Sequence, residues 1–215
     1  MLTSEVEPLA HAIEAIAAHG YVIIEDFLLP NEVTTLAEMI KNKWLDGQMV
    51  SAKTGKNGLK NQDIRSDYIA WLDEEDTTPA VQSYFRQMEI LRLMLNTQLF
   101  MNVQELETHV ALYPVGGRYQ KHLDQFSHGS SLGITKGNIQ HRQLSAVLYL
   151  NQNWKAHHGG ALKLYLDEEN TIDILPNAGR IVLFLSAKFW HEVLPANRER
   201  ISLTGWFRTR NHVLI

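Results

Sequence analysis

Apolar residues in the N-terminal half recur at the three- and four-residue spacing of amphipathic helices. Three such stretches are predicted to be helical, at residues 4–20, 31–44 and 79–99. Ser4 suits the first helix as an N-cap, Gly20 suits its end, and Pro30 precedes the second helix. Two short apolar segments between the helices are predicted to be strands, at residues 21–27 and 64–71. We interpret the helices as packing supports without a chemical role.

From Glu105 onwards the apolar pattern changes to short segments separated by turn residues. Eight strands are predicted there, at residues 106–113, 119–125, 143–151, 161–166, 171–175, 180–186, 192–194 and 201–208. Many short strands after a helical region are typical of a jelly-roll barrel or sandwich with helices packed outside. The sequence therefore predicts an α+β fold that is mainly β.

Residues 47–63 differ from both patterns, because they contain three glycines, three lysines and no apolar period. The segment is too long for an ordinary connection, so it is either a disordered linker or a lid over a functional site. No repeat or low-complexity tract divides the chain. We therefore expect one domain over residues 1–215, with residues 1–104 as mainly helical support and residues 105–215 as the β core.

The composition narrows the classes of function. The chain of 215 residues is 45% hydrophobic and 20% charged, as in an ordinary globular domain. Its formal net charge of −4 and pI near 6.2 argue against a nucleic-acid partner. Because there is no cysteine, any metal must be held by histidine and carboxylate. The sequence lacks a basic leader and a long apolar run, so we expect a cytoplasmic monomer without a membrane partner.

The first candidate for chemistry is the sequence His122-Leu123-Asp124. Side chains on a strand repeat every two residues, so the imidazole and the carboxylate are predicted to share one face. They are two of the three ligands in the two-histidine, one-carboxylate triad that holds non-haem Fe(II). His191, after the apolar strand 180–186, can supply the third ligand. The alternative is a solvated histidine beside a surface aspartate, since His-x-Asp occurs by chance in many chains.

Arg200 begins the second candidate site. In the predicted strand it shares a face with Ser202, Thr204 and Trp206, while mainly apolar residues occupy the other face. A face of Arg, Ser, Thr and Trp suits a polar pocket better than an apolar core. The alternative for Arg200 is an external salt bridge, because Glu199 directly precedes it.

Together these segments resemble the Fe(II)- and 2-oxoglutarate-dependent oxygenases, and within them the prolyl hydroxylases. The resembling segments are residues 113–124, 148–154, 159–162, 176–184, 191–193 and 200–206, with Arg65-Ser66-Asp67 and Trp71 upstream. The closest likeness is to the oxygen-sensing type that acts on hypoxia-inducible transcription factors, in a prokaryotic form. Arg200, nine residues after His191, and Tyr149 in its strand make the resemblance specific.

The resemblance implies a double-stranded β-helix that uses Fe(II), 2-oxoglutarate and O2, and it allows ascorbate as a reductant. It implies catalytic roles for His122, Asp124 and His191 as iron ligands. Arg200 is implied to grip the far carboxylate of 2-oxoglutarate, since its planar fork forms two parallel bonds that a lysine could not match.

The resemblance also assigns residues around the iron and Arg200. Further contacts to 2-oxoglutarate are expected from Tyr149, Tyr113 and Thr204. The groove for a protein substrate is expected to be lined by Arg65, Asp67 and Trp206. The implied reaction hydroxylates a prolyl residue of that protein at C4 and releases succinate and CO2.

Two other classes of function stay open. The first keeps the iron chemistry but acts on an alkylated nucleobase or a small molecule. The acidic pI and the distance to the next arginine on the strand, Arg208, count against the nucleobase. The second is a binding or sensor module, which would have lost part of the triad or Arg200. Gln125 and the long insertion before Arg142 depart from the resembled family, so the target protein is left open.

Overall fold

The computed structural model of the protein describes residues 7–52, 63–124 and 142–209. Three α-helices form where the apolar period predicted them: α1 Glu7–His19, α2 Pro30–Leu45 and α3 Pro79–Gln98. A single 3₁₀ turn lies at Ala156–His158. None of the three described helices combines enough length and apolar character to cross a bilayer. Ser4, residues 53–62 of the candidate lid, and the insertion with Gln125 lie outside the described ranges.

Eleven strands lie within the described ranges. They are β1 Tyr21–Ile24, β2 Val50–Ser51, β3 Tyr68–Trp71, β4 Glu105–Tyr113, β5 Tyr119–His122, β6 Arg142–Tyr149, β7 Leu162–Tyr165, β8 Thr171–Ile174, β9 Ile181–Leu185, β10 His191–Val193 and β11 Arg200–Arg208. Neighbouring strands pair antiparallel and build two sheets. The larger sheet has the order β1-β9-β6-β11-β4-β3-β2, and the smaller has the order β5-β10-β7-β8.

The two sheets form the jelly-roll, or double-stranded β-helix, that the pattern of short strands predicted. Three strands differ most from the prediction, because each is at least three residues shorter: β1 ends at Ile24, β3 begins at Tyr68, and β5 ends at His122. The N-terminal part does more than support the barrel, because β1, β2 and β3 all join the larger sheet. β3 pairs directly with β4, so the segment that follows the candidate lid lies beside the barrel core.

Two apolar clusters cover opposite faces of the larger sheet. The first joins the sheet to the helices and includes Ile201 and Leu203 of β11 with Leu36 of α2. The second lies between the two sheets and includes Tyr149 of β6 with Leu164 of β7. Fully burying an apolar side chain of this size contributes roughly 1.5–3 kcal/mol. The apolar face of β11 is therefore fixed against the helices, and its polar face is turned towards the space between the sheets.

Candidate active site

His122 and His191 face each other across the smaller sheet. His122 is the last residue of β5 and pairs in register with His191, the first residue of β10. His122 Nε2 lies 3.6 Å from Asp124 Oδ1, and His191 Nε2 lies 3.7 Å from Asp124 Oδ2. One ligand atom from each of the three residues lies within 4.8 Å of the others. The structure therefore brings together the three side chains that the sequence nominated as a metal site.

The route by which they converge differs from the prediction. Strand alternation was expected to place His122 and Asp124 on one face, but β5 ends at His122 and Asp124 lies beyond it in a bend. The pairing with β10 is also irregular, because His191 opposes His122 while Val193 opposes Tyr119. This spacing leaves one extra residue on β5, as in a β-bulge. The shared-face argument for Asp124 is therefore corrected, since a bend brings its carboxylate to the histidines.

Backbone carbonyls orient both imidazole rings. His122 Nδ1 lies 2.7 Å from the carbonyl oxygen of Gln120, and His191 Nδ1 lies 3.1 Å from that of Phe189. A carbonyl oxygen only accepts hydrogen bonds, so each Nδ1 must carry the proton. In the neutral ring each Nε2 then keeps its lone pair, which is the form of histidine that binds a metal.

The Asp124 carboxylate is buried and has its own hydrogen-bond donor. Ser145 Oγ donates to Asp124 Oδ2 at 2.7 Å and lies 2.8 Å from Ser186 Oγ. Burial acts to raise the pKa of Asp124, but the nearby His191 and His122 and the Ser145 hydroxyl lower it to about 2. The pKa of His122 is lowered to about 3, chiefly by burial and by the neighbouring His191. At neutral pH the cluster is therefore one carboxylate with a neutral His122.

A stack of side chains, which sequence reasoning missed, backs His122. The Tyr119 ring lies on the His122 ring with centroids 3.6 Å apart and planes 18° apart, and the Arg65 guanidinium lies 4.8 Å over Tyr119. Strict alternation would turn residues 119 and 122 to opposite faces. The irregular pairing on β5 lets both face the site, and no sequence signal indicated it. The stack places Arg65, a predicted groove residue, beside the metal ligands.

Asp67 needs a corrected role. Its side chain is fully buried, and both of its carboxylate oxygens accept hydrogen bonds from Arg65, at 2.6 and 2.8 Å. Burial alone would lower the pKa of Arg65, but the Asp67 hydrogen bond and charge raise it above its usual value. Asp67 was predicted to line the groove surface. Because Arg65 occupies both of its carboxylate oxygens, Asp67 instead holds the Arg65 side chain in position.

Arg200 lies at the other end of the space between the sheets. It is only 2% exposed, so the external salt bridge considered for it is wrong. Its guanidinium carbon lies 4.9 Å from the centre of the Tyr113 ring and 5.1 Å from that of Tyr149. Arg200 Nε, Arg200 Nη1 and the Tyr149 hydroxyl are all buried without a hydrogen-bond partner in the described part of the chain. Such unpaired groups are costly unless a ligand satisfies them.

Two neighbours fix the position of Arg200. The Asn151 side chain holds the adjacent Ile201 by accepting its backbone N–H at 2.7 Å and donating to its carbonyl at 3.0 Å. Gly160 adopts a positive φ of 71°, and a Cβ there would lie 2.8 Å from Ala196 Cβ and 3.6 Å from Arg200 Cδ. A larger residue at position 160 would therefore displace the wall beside the guanidinium.

The remaining predicted residues lie between the two ends. Thr204 pairs with Val147 of β6, and Trp206 pairs with Ser145, the residue that donates to Asp124. β11 thus runs from the metal ligands to the buried arginine, with Thr204 between them.

The donor set suits one metal and one dicarboxylate. Two imidazoles and a carboxylate on one side of an ion match the facial triad of non-haem Fe(II), which leaves positions open for other ligands. The buried fork of Arg200 and the Tyr149 hydroxyl suit the far carboxylate of 2-oxoglutarate. In residues 7–52, 63–124 and 142–209, this triad is the one metal-competent group of three His, Asp or Glu side chains.

Comparison with known proteins agrees with this donor set. The family model described as the 2OG-Fe(II) oxygenase superfamily matches residues 108–208, which include the triad, Tyr149 and Arg200. The chain belongs to this superfamily. A solved prolyl-4-hydroxylase of Pseudomonas putida is 38% identical, with a TM-score of 0.82, over 93% of this chain and 98% of that chain.

Animal relatives are more distant. The chain is 28% identical to the hypoxia-inducible factor prolyl hydroxylase of Caenorhabditis elegans, over 94% of this chain and 28% of that protein. It is also 28% identical to human Egl nine homolog 1, over 93% of this chain and 46% of that protein. The chain therefore spans less than half the length of these two relatives. A Trichoplax adhaerens prolyl hydroxylase, solved with a peptide of hypoxia-inducible factor, is 25% identical with a TM-score of 0.82.

Proposed function

We propose that the chain is an Fe(II)- and 2-oxoglutarate-dependent dioxygenase that hydroxylates a prolyl residue of a protein at C4. The observation that carries the proposal is that the His122–Asp124–His191 triad and the buried Arg200 contact the same apolar cluster between the two sheets. His191 packs against Phe184 of that cluster, and Arg200 lies over Tyr113 and Tyr149. Within the described residues, Arg200 Nε and Nη1 have no hydrogen-bond partner. A non-catalytic module has no use for both features, and superfamily membership matches them.

In this proposal the chain's own residues divide the work. His122, Asp124 and His191 hold Fe(II), and Arg200 grips the far carboxylate of 2-oxoglutarate with help from Tyr149, Tyr113 and Thr204. When bound, these groups with O2 supply the oxidising power for C–H hydroxylation, with release of succinate and CO2. The carbonyls of Gln120 and Phe189 keep both imidazoles in the ligating form. Burial of Asp124, His191 and Arg200 limits the access of bulk water to the reacting atoms.

The prolyl substrate is the finer part of the proposal. It rests on the names of the relatives, since the Pseudomonas putida, Caenorhabditis elegans and Trichoplax adhaerens proteins are all described as prolyl hydroxylases. Arg65 and Trp206 lie at the metal end, and we propose that they contact the substrate. A single domain, a cytoplasmic monomer, the absence of nucleic-acid and membrane partners, use of ascorbate and oxygen sensing all stay predictions.

The test is hydroxylation in a complex mixture. Iron-loaded enzyme is incubated with cell lysate, 2-oxoglutarate and O2, and prolines that gain one oxygen atom are mapped by mass spectrometry. Asp124→Ala treated identically is the control for background oxidation. We expect one or a few prolines to be hydroxylated by the wild type alone. Succinate formation without any hydroxyproline, or oxidation of nucleobases in the same lysate, would contradict the prolyl assignment.

A further inference from the structure

His109 is a buried histidine to which neither the sequence patterns nor the proposed function assigns a role. It lies in β4, opposite Thr204 of β11 in register, and is only 2% exposed. Its ring lies 5.2 Å from the centre of Trp206 on one side and 5.5 Å from Trp71 on the other. His109 is therefore on the face of the larger sheet that lines the pocket.

His109 Nδ1 is buried, and no described residue forms a hydrogen bond with it. Burial and the nearby charges of Arg65 and Arg142 lower the pKa of His109 to about 3, so the ring is neutral at physiological pH. A neutral imidazole donates through one nitrogen and accepts through the other. An orphaned nitrogen in a pocket wall is a polar atom placed for a ligand to satisfy.

The surroundings of His109 form a continuous wall from the surface to the metal end. Trp71 is 58% exposed, His109 and Trp206 are buried behind it, and the Arg142 guanidinium lies 3.5 Å over the Trp206 ring. Trp206 is also near enough to Asp124 to lower the pKa of that carboxyl. Because His109 Nδ1 is buried, the exposed Trp71 side chain would have to move aside before a main chain that entered along this wall could reach Nδ1 on its way to the metal ligands.

We propose that His109 binds the main chain of the substrate, its Nδ1 accepting the N–H of the residue that follows the target proline. This rests on the proposed prolyl substrate. Proline has no N–H of its own, so the first N–H on its carboxyl side belongs to the next residue. That group lies directly beside the proline ring. His109 thereby selects against a second proline at the following position, because such a sequence has no N–H to offer.

The test replaces one atom of the substrate. The probe is a synthetic peptide centred on the proline identified in the lysate, compared with an ester analogue in which oxygen replaces the N–H after that proline. We expect the ester to lower kcat/KM of the wild type by about tenfold, the effect of one buried hydrogen bond. His109→Phe keeps the ring contacts with Trp71 and Trp206 but removes both nitrogens. In that variant the amide-to-ester ratio of kcat/KM should shrink to about twofold. It should stay above one because an ester carbonyl is a weaker hydrogen-bond acceptor than an amide carbonyl.

Three controls separate this role from a structural one. His109→Asn can place an amide oxygen near the Nδ1 position and should restore part of the amide preference. Thr108→Val, on the opposite face of β4, should leave the amide-to-ester ratio unchanged even if stability falls. An ester two residues further along the peptide should react like the amide.

A second readout does not depend on turnover. In Zn(II)-loaded protein with a 2-oxoglutarate analogue, the 15N resonance of His109 Nδ1 should shift when the amide peptide binds and barely shift with the ester. Equal wild-type rates for amide and ester, with no 15N shift, would overturn the role of His109 while leaving prolyl hydroxylation intact. If the wild type hydroxylates no proline at all, the proposed function itself fails.

Discussion

The two ends of the pocket hold their charged groups in opposite ways. At the metal end, both Nδ1 atoms and Asp124 Oδ2 already have hydrogen-bond partners, and the two Nε2 atoms converge on the carboxylate. At the far end, no described residue forms a hydrogen bond with Nε or Nη1 of the buried Arg200, or with the hydroxyl of the neighbouring Tyr149. The protein itself therefore orients the ligands at the metal end, whereas the described residues give Arg200 no carboxylate partner at the far end.

This difference indicates two strategies for binding. A metal needs ligands in a narrow geometry, so partners that fix the rings before binding raise affinity. A dicarboxylate needs a strong attraction deep in the pocket, and an uncompensated arginine supplies it at a cost to the ligand-free protein. Changes at the metal end should therefore affect turnover most, and changes at the far end should affect 2-oxoglutarate binding.

Asp124→Ala should give the largest effect. It removes the one anionic ligand and leaves only the two imidazoles, so turnover should fall below about one-thousandth of wild type, at least about 4 kcal/mol in the transition-state term. Succinate release and direct measurement of Fe(II) binding provide the check, with near-ultraviolet circular dichroism as the control for folding. Unchanged succinate formation in this variant would remove the triad from the reaction.

Arg200→Ala should mainly weaken the cosubstrate. Removing one partner of a buried ion pair costs about 3–5 kcal/mol, so 2-oxoglutarate affinity should drop by roughly two to three powers of ten. Arg200→Lys should recover part of this loss, because it keeps the charge but not the two-pronged geometry. Titration calorimetry with Fe(II) or Mn(II) present measures both. Near wild-type affinity in either variant would exclude Arg200 from the pocket.

A variant at Arg200 also tests, through the stability of the ligand-free protein, whether the buried charge is uncompensated. Arg200→Met replaces a buried, unpaired cation with an apolar side chain of similar length, so the ligand-free protein should become more stable, by about 1 kcal/mol or more. Added 2-oxoglutarate should stabilise the wild type but not this variant. A less stable ligand-free variant would mean that Arg200 is already compensated.

The far end was the easier of the two to predict from sequence. It lies on regular strands, where a period of two turns residues 200, 202, 204 and 206 inward while Ile201 and Leu203 pack against the helices. The face of β11 followed directly from the order of polar and apolar residues. The fold itself followed in the same way, from helical and strand periods.

The metal end required information that periodicity does not contain. Asp124 reaches the histidines through a bend, and Tyr119 reaches His122 through an extra residue in the pairing of β5 with β10. Ser145 and His109 depend on contacts between strands that are distant in sequence. The ligands could be nominated from their chemistry, but their supporting residues are fixed by tertiary pairing.

Ser145→Ala should have an intermediate effect at the metal end. It removes the hydroxyl that donates to Asp124 Oδ2 at 2.7 Å, so the carboxylate loses its orientation. Loss of such a supporting partner typically costs about 10- to 100-fold in metal affinity. Ser186→Ala is the matched control, because Ser186 contacts Ser145 but has no described hydrogen bond to Asp124. Equal Fe(II) affinities for the two variants would show that the Ser145 hydroxyl does not position the ligand.

His109 lies between the two ends. The acid sensitivity of folding shows whether its Nδ1 lacks a partner, like Arg200, or already has one, like the metal ligands. Among the described residues, neither His109 Nδ1 nor Arg200 Nε has a hydrogen-bond partner, so burial should penalise the charged form of His109 and make folding sensitive to acid. The pKa of His109 falls from 6.5 to about 3 in the folded protein. Between these values the unfolded chain binds a proton that the folded chain does not, so stability declines as the pH drops below 6.5. One unit below that value the loss should be about 1.4 kcal/mol.

The measurement is urea unfolding of the iron-free protein at pH 7.5 and at pH 5.5. His122 contributes acid sensitivity of the same sign, because its pKa is also lowered to about 3. His109→Phe should therefore reduce the wild-type loss between the two pH values by about 1.4 kcal/mol without abolishing it. Thr108→Val should lower stability equally at both pH values. If His109→Phe and the wild type lose the same amount, a partner already stabilises the charged form of His109. Its Nδ1 is then not available to the substrate. In that case His109 resembles the metal ligands, whose Nδ1 atoms already have hydrogen-bond partners in the protein.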